Sequence, residues 1–436
     1  MENHHDRHFC ISENNFPKIV VIGAGFAGIN FIKKLKNKPV QVILIDQNNY
    51  HQFQPLLYQV AISGLEPDSV VTPIRKLFKS CINMIYRMAK VEEIDTKNKR
   101  VHTDIGYINY DYLVIATGSS TNYYGSKNIE KNSIGLKSIN DAINIRSWML
   151  QNLELGVEGC NFEEKLALTK FVIVGGGPAG VEMAGALAEF KKYLLSNDYP
   201  EIENGAMKIY LIQSADRILP TMSKKASKHA LKVLKNLDIE VLLNSRVTDY
   251  DGEIITLLTQ NGEEIIHANN LIWAAGVKGN IIKGIDEKAI LQGNRMKVNQ
   301  YNQIEGLENV FAIGDIAAMI SDANPQGHPM VAQAAIQQGK TLANNMLSKI
   351  NSGNFKIPFN YVDKGSMATI GKKDAVADLK IFFLNGRIGW LLWSFIHLIS
   401  ITGFKNKFKV GLNWMMKYLS YEKANQLIIR KYSRKS

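Results

Sequence analysis

Cysteine is scarce: three residues among 436, at Cys10, Cys81 and Cys160. They lie far apart, and no C-x-x-C pair or Cys/His cluster accompanies them. Neither a metal site nor a disulfide framework is suggested, and a reducing, cytosol-facing setting is expected. Long apolar runs are missing too. The opening MENHHDRHFCISENN has none, so it does not read as a signal peptide. Its His4, His5 and His8 share no ligand spacing, and residues 1–16 are expected to be a disordered lead-in. The most apolar late run, WLLWSFIHLISI from Trp390 to Ile401, would form a helix of about 18 Å against a hydrocarbon core of about 30 Å. It cannot span. There is no low-complexity tract, and no Ser/His/Asp or thiol nucleophile arrangement. Acid is nearly absent from the C-terminus: from Lys380 onward eleven Lys or Arg face one acid, Glu422, which accounts for ten of the net +12 charges.

The chain does have two strand–glycine-loop–helix–strand units. KIVVIG is a short apolar run ending in glycine, as expected of a buried parallel strand. GAGFAG follows, then INFIKKL with helical spacing, then the strand QVILID. Gly23, Gly25 and Gly28 thus form G-x-G-x-x-G. The first glycine permits the tight turn, the second lets a pyrophosphate approach the backbone, and the third allows close helix–strand packing. Asp46 ends the second strand, placed to accept hydrogen bonds from a ribose diol. The pattern recurs in FVIVGGGPAGVEMAGALAEF and MKIYLIQ, with Gly175, Gly177 and Gly180. Here the strand-end residue is the neutral Gln213, reached after a longer insertion, KKYLLSNDYPEIENGA. Two fingerprints imply two dinucleotides, one held prosthetically and one used as substrate. At 436 residues two or three domains are expected. The fold class is α/β: two Rossmann-like dinucleotide-binding domains plus a C-terminal amphipathic-helical segment.

Further segments occur in a familiar order: NYHQFQPLLYQVA, ATG, GGGPAGVEMAGALAE, DRILP, WAAGV, FAIGDIA, AQAAIQQG and GSMATIG. From about residue 17 to about 410 the chain resembles the type II NADH dehydrogenases, single-subunit NADH:quinone oxidoreductases that do not pump protons. The resemblance implies non-covalent FAD in a domain built from 17–125 and 290–380, and NAD(P)H in 126–289. It implies that Asp46 and the first glycine loop hold the FAD adenosine half. Thr117 and Gly118 would lie near FAD, and Asp315 of the Gly314–Asp315 pair would bind its ribityl chain. Glu182 is implied where nicotinamide and flavin meet, although an acid in a first helical turn is also favoured by the helix dipole. Gln333 is implied on the quinone side. A solvated helix face is the plain alternative for Gln333, Gln337 and Gln338; the small residues Ala332, Ala334 and Ala335 argue for close backbone approach instead. Cofactor chemistry then carries the reaction, with hydride passing from NADH to flavin and two electrons onward to quinone.

Residues 381–436 read as a membrane-anchoring segment. In 408–420, Phe408, Leu412, Met415 and Leu419 mark one helical face, with Lys409, Asn413, Lys417 and Ser420 on the other. The expectation is a respiratory, monotopic enzyme on the cytoplasmic face of the inner (cell) membrane, bound to anionic lipid. The tail is expected to be separable from both nucleotide domains. A buried helix or a homodimer face is left open, and nucleic acid is not expected. A sulfide:quinone oxidoreductase shares the fold but needs paired cysteines. A flavin-bound signalling or DNA-binding protein would not need so apolar a tail. Gln213 lacks the charge that repels a 2′-phosphate, and Arg217 lies four residues on, so NADH is expected as substrate with NADPH tolerated.

Overall fold

The computed structural model describes residues 7–11, 14–158, 161–202, 207–322, 324–419, 427–428 and 430–434, without the side chains of 162, 194–197 and 417–419. Two compact units emerge: Met1–His51, Thr72–Ser120 and Val277–Asp363 form the first, and Gln52–Val71, Thr121–Gly276 and Lys364–Ser436 the second. This division differs from the expected domain limits. Residues 52–71, 121–125 and 364–380 group with the second unit, and 277–289 with the first. The reason is local packing: the helix Leu57–Ala61 lies against the helix Ile139–Glu158, and the strand Ser366–Thr369 against the helix Pro178–Asn197.

The first unit is built on five parallel strands, ordered Val310–Ala312, Tyr112–Ile115, Lys18–Ile22, Gln41–Asp46 and Met84–Met88. Their Val/Ile-rich sequences suit a sheet covered on both faces. Side chains alternate between two layers, as strand geometry requires. Val20, Ile22, Ile43 and Ile45 enter one layer with the antiparallel strands Val91–Asp95, Arg100–Thr103 and Gly106–Asn109. Ile19, Val21, Val42 and Leu44 enter the other, with the helices Phe26–Leu35 and Ala332–Ser352. Those helices touch closely. At Gly339 a Cβ would collide with the carbonyl oxygen of Ala27, so the small residues of AQAAIQQG do serve backbone approach.

Part of the expected lead-in is not disordered. Phe9 is buried in the first layer, and backbone bonds join Phe9 N to Tyr107 O at 2.9 Å and Tyr107 N to Arg7 O at 2.9 Å. An aromatic ring with a strand edge to pair with is enough to order the segment. Residues 1–6, 12 and 13 lie outside the described residues, as does Cys160. Cys10 is exposed and Cys81 buried, both free. Among the described residues no group of His, Cys, Asp or Glu could hold a metal.

The second unit repeats the plan, with parallel strands ordered Ile134–Gly135, Asn270–Trp273, Phe171–Val174, Ile209–Ile212 and Ile239–Leu242. Val172, Val174, Ile212 and Trp273 share a core with the antiparallel strands Arg246–Tyr250, Ile254–Thr259 and Gly262–His267. The start of the insertion KKYLLSN continues the helix Pro178–Asn197, because no glycine or proline stops it before Pro200.

The C-terminal part of this unit starts with the antiparallel strands Ser366–Thr369, Ala375–Asp378 and Phe383–Asn385. The helices Gly386–Ser400 and Phe404–Leu419 follow. No helix among the described residues is long and apolar enough to cross a membrane. Ile388, Leu391, Phe395 and Ile399 are nonetheless exposed at helical spacing, as are Phe404, Phe408, Leu412 and Met415. Lys409, expected on a solvated face, pairs with Asp68 at 2.6 Å, and Leu419, Lys417 and Ser420 fall among positions whose side chains are not described. The tail is not separable in the way the sequence suggests. Arg434 donates to Gly252 O at 2.8 Å, Asn269 O at 2.7 Å and the Tyr250 hydroxyl at 2.9 Å, with its guanidinium 4.7 Å from the Trp148 ring centre.

Candidate active site

In the first unit the loop after Lys18–Ile22 makes its turn at Gly23, with φ +105°. There and at Gly28 a Cβ would strike backbone, the Ala116 carbonyl oxygen in one case and that of Gly23 in the other. At Gly25 a Cβ would meet nothing within 4 Å. This is the form of a phosphate cradle: tight on the protein side, open on the other, at a helix N-terminus. Asp46 closes it. One carboxylate oxygen accepts the Ala24 amide at 2.7 Å and the other the Asn48 amide at 2.7 Å. Burial nevertheless raises its pKa above the ordinary carboxylate value.

Thr117, Gly118, Gly314 and Asp315 belong to the same unit. The Thr117 hydroxyl donates to Asn280 O at 2.8 Å, and Asn280 N donates to Gly118 O at 3.1 Å. The Ser119 hydroxyl donates to the Asp315 carboxylate. Gly314 turns with φ +78°, and its amide donates to the Gln338 side-chain oxygen at 2.6 Å. Gln338 is 1% exposed. The sequence reading grouped it with the solvated-face alternative, yet it is the glutamine that fixes the Gly314–Asp315 turn. Gln333 approaches Asp363 at 3.4 Å, and Gln337 bonds the Val362 backbone through both amide atoms. Arg295, another residue the sequence did not reveal, gathers the carbonyls of Asp315, Ala317, Gln326 and His328.

The second glycine loop copies the first. Gly175 turns with φ +111°, a Cβ at Gly180 would strike the Gly175 carbonyl, and Gly177 is open. Gln213 stands where Asp46 stands in the first unit: its side-chain oxygen accepts the Gly176 amide at 2.9 Å. Arg217 is engaged by its own loop. Its guanidinium is held by the carbonyls of Leu219, Pro220 and Met222.

Glu182, five residues past Gly177, is nearly fully buried. Removal from water pushes its carboxyl up to about 8. The Thr369 amide at 3.4 Å and the nearby indole N–H of Trp393 oppose that rise. The Trp393 N–H comes near without a formed hydrogen bond. Trp393 is itself stacked on His397, with ring centres 4.1 Å apart. His397 bonds the Trp393 carbonyl through Nδ1 at 2.8 Å, and burial holds its pKa down at about 4. It is therefore a satisfied neutral ring, not a ligand.

The chain as a whole is similar to known proteins. The chain matches the pyridine nucleotide-disulphide oxidoreductase family over residues 17–339 and the NDH2 C-terminal domain over residues 364–420. Type II NADH:quinone oxidoreductase Ndh of Mycobacterium tuberculosis is 33% identical across 94% of this chain and 90% of its own length. The mitochondrial internal alternative NAD(P)H-ubiquinone oxidoreductase A1 of Arabidopsis thaliana is 28% identical across 93% and 85%. NDH2 from Plasmodium falciparum, solved in complex with NADH, shares the fold with a TM-score of 0.87 at 24% identity, covering 94% of this chain and 99% of that one. The sulfide:quinone oxidoreductase of Aquifex aeolicus scores lower, 0.70 at 19% identity over 92% and 91%. With its two glycine loops and its C-terminal helices, the chain belongs to the type II NADH:quinone oxidoreductase family.

Proposed function

We propose that this flavoprotein, an NADH:quinone oxidoreductase that does not pump protons, works on a non-covalently bound FAD held by the first unit. The open, tight-backed loop at Gly23–Gly28, with Asp46 at its edge, is the observation that carries the reading. The residues fit a dinucleotide there: a cradle left open at Gly25 and a buried acid beside it. Thr117, Gly118, Gly314 and Asp315 are assigned to the flavin half. Bound FAD supplies a two-electron acceptor for NADH and a donor for quinone. The second loop, Gly175, Gly177 and Gly180 with Gln213, is assigned to NADH, and NADPH is tolerated for want of a charge at 213.

Two polar residues divide the work. Glu182 is assigned to the nicotinamide side, where a carboxyl with a pKa of about 8 is able to hold or release a proton near neutral pH. Gln333 is assigned to the quinone side as a hydrogen-bonding residue. The exposed apolar stripe on Gly386–Ser400 and Phe404–Leu419 is assigned to the membrane surface. Exposed Lys380, Arg387 and Lys405 adjoin it, which favours anionic lipid over a homodimer face, and the enzyme is assigned to the cytoplasmic face of the membrane. Heat or acid release of the chromophore tests the cofactor reading: free FAD is expected, whereas FMN, or flavin left on the denatured chain, contradicts it.

A further inference from the structure

The first glycine loop is held by two side chains that grip neighbouring peptides. Asp46 accepts the Ala24 amide at 2.7 Å, which fixes the Gly23–Ala24 peptide. His51, in the short strand Tyr50–Gln52, takes the other end of the same residue: its Nδ1 lies 2.9 Å from the Ala24 carbonyl oxygen. A carbonyl oxygen only accepts, so Nδ1–H donates. The ring is buried and packs edge-on against Phe26, with centres 5.2 Å apart. Burial holds its pKa down at about 4, so at neutral pH this N–H is its only proton. Nε2 is left bare, with no partner among the described residues.

That bond sets more than the carbonyl. The Ala24–Gly25 peptide is trans and planar, so the Gly25 N–H points opposite to the Ala24 oxygen. With the oxygen turned to the buried ring, the N–H points away from it. Among the described residues nothing accepts this amide, and a Cβ at Gly25 would meet nothing within 4 Å. An uncommitted amide beside open space, at the start of the helix Phe26–Leu35, is a donor suited to a phosphate oxygen.

The second unit repeats the arrangement with other atoms. Gly23 N donates to Ile45 O and Gly175 N to Ile212 O, both at 2.8 Å, which sets the two loops in register. Gly176 then stands where Ala24 stands. Gln213 accepts its amide at 2.9 Å, and the Leu219 amide donates to its carbonyl oxygen at 2.7 Å. Leu219 does so from left-handed backbone, φ +48°, which a leucine adopts only at a cost. The same carbonyl is thus pinned in both units, by a side chain in one and by strained backbone in the other. What the loops share is the orientation of that peptide, not the donor that imposes it.

We infer that His51 is a positioning residue for the cofactor diphosphate: by holding the Ala24 carbonyl, its Nδ1–H aims the N–H of Gly25, in the same peptide, at the phosphate. This rests on the assignment of FAD to the first loop. Asp46 cannot do the same work, because it grips the preceding peptide and leaves the Ala24–Gly25 peptide able to rotate. Without the imidazole donor the buried Ala24 oxygen has no partner. Rotation toward the open side then puts a carbonyl oxygen where the anion approaches.

The test uses the full chain, stripped of flavin and titrated with FAD by the quenching of flavin fluorescence. His51→Leu should weaken FAD binding by about tenfold or more, the worth of one hydrogen bond to a charged group. His51→Asn, whose side-chain NH2 branches from the same carbon as Nδ1, should restore most of it. In phosphorus NMR of the FAD-loaded proteins the diphosphate signals should move in His51→Leu and return in His51→Asn. Weaker binding with unmoved phosphorus signals, or no rescue by Asn, overturns the inference, since a merely structural ring would give either. Should His51→Leu not fold, nitrogen NMR of the wild type with labelled histidine decides: a neutral ring protonated at Nδ1 is expected, and one protonated at Nε2 overturns the inference. If the wild type binds FMN as tightly as FAD, the FAD assignment fails and the inference with it. If FAD is preferred and His51→Leu keeps its full affinity, the inference alone fails.

Discussion

The two glycine loops are alike in backbone and unlike in charge. Both turn at a positive-φ glycine, both leave the middle glycine open, and both end at a strand-end side chain that accepts an amide of the loop. In the first loop that side chain is Asp46, whose two oxygens hold two amides. In the second it is Gln213, whose oxygen holds one. The difference separates two demands that a sequence fingerprint merges. Holding the loop needs only an acceptor, which an amide supplies as well as a carboxylate. Rejecting a 2′-phosphate needs charge, which only the carboxylate supplies. A prosthetic group that stays bound suits the stronger anchor, and a substrate that must leave suits the weaker one.

Removing the anchor of the first loop gives the largest expected effect. Asp46→Ala leaves the Ala24 and Asn48 amides without their acceptor, each at about 1–3 kcal/mol. The purified variant should melt lower and lose flavin, read as a fall in the flavin absorbance carried per protein chain. Full flavin retention would mean that the loop needs no anchor and that the likeness of the two loops is only of shape.

The second unit carries its own buried acid, and pH exposes the contrast. Glu182 has a folded pKa of about 8 against 4.5 for the unfolded group. Its contribution to stability is therefore fully present below about pH 4.5 and is lost as pH rises toward about 8, since the folded chain binds the proton more tightly. Glu182→Gln should flatten the fall of Tm over that window. An equal fall in both proteins would show that burial does not govern this carboxyl.

A smaller effect is expected from making the second loop resemble the first. Gln213→Glu retains an acceptor for the Gly176 amide and adds the missing charge. It should lower kcat/KM for NADPH relative to NADH by about 5- to 150-fold, the span of a 1–3 kcal/mol difference. Arg217→Ala should leave that ratio within about twofold, because the guanidinium already serves the carbonyls of Leu219, Pro220 and Met222. A large change in the Arg217 variant with none at Gln213→Glu would reverse the roles of these two residues.

Much of this was legible because it is local. The strands announce themselves as short Val/Ile runs, the glycine spacing marks the turns, and Asp46 and Gln213 lie at strand ends. The apolar stripe of the tail was readable from spacing alone. What escaped depends on partners distant in sequence. Tyr58 meets Thr369 across 311 residues, and Arg434 reaches Gly252 across 182; no local pattern marks either. Phe9 gave no periodic signal because a single aromatic orders that segment. Gln338 was indistinguishable from Gln333 and Gln337, since three glutamines within six residues on a helix differ only in which way the helix faces. Residues 52–71 read as part of the FAD domain but group with the second unit, because their helix packs on chain that comes some eighty residues later.

The proposed division of labour gives flavin and quinone to the first unit and nicotinamide to the second. Anaerobic stopped flow tests it most directly: NADH is mixed with the yellow protein to bleach the flavin, and a quinone is then added to restore the colour. Glu182→Gln should slow the bleaching and leave the recovery near wild type, while Gln333→Ala should slow the recovery and leave the bleaching. The opposite pattern, or equal slowing of both phases by either variant, would contradict the division.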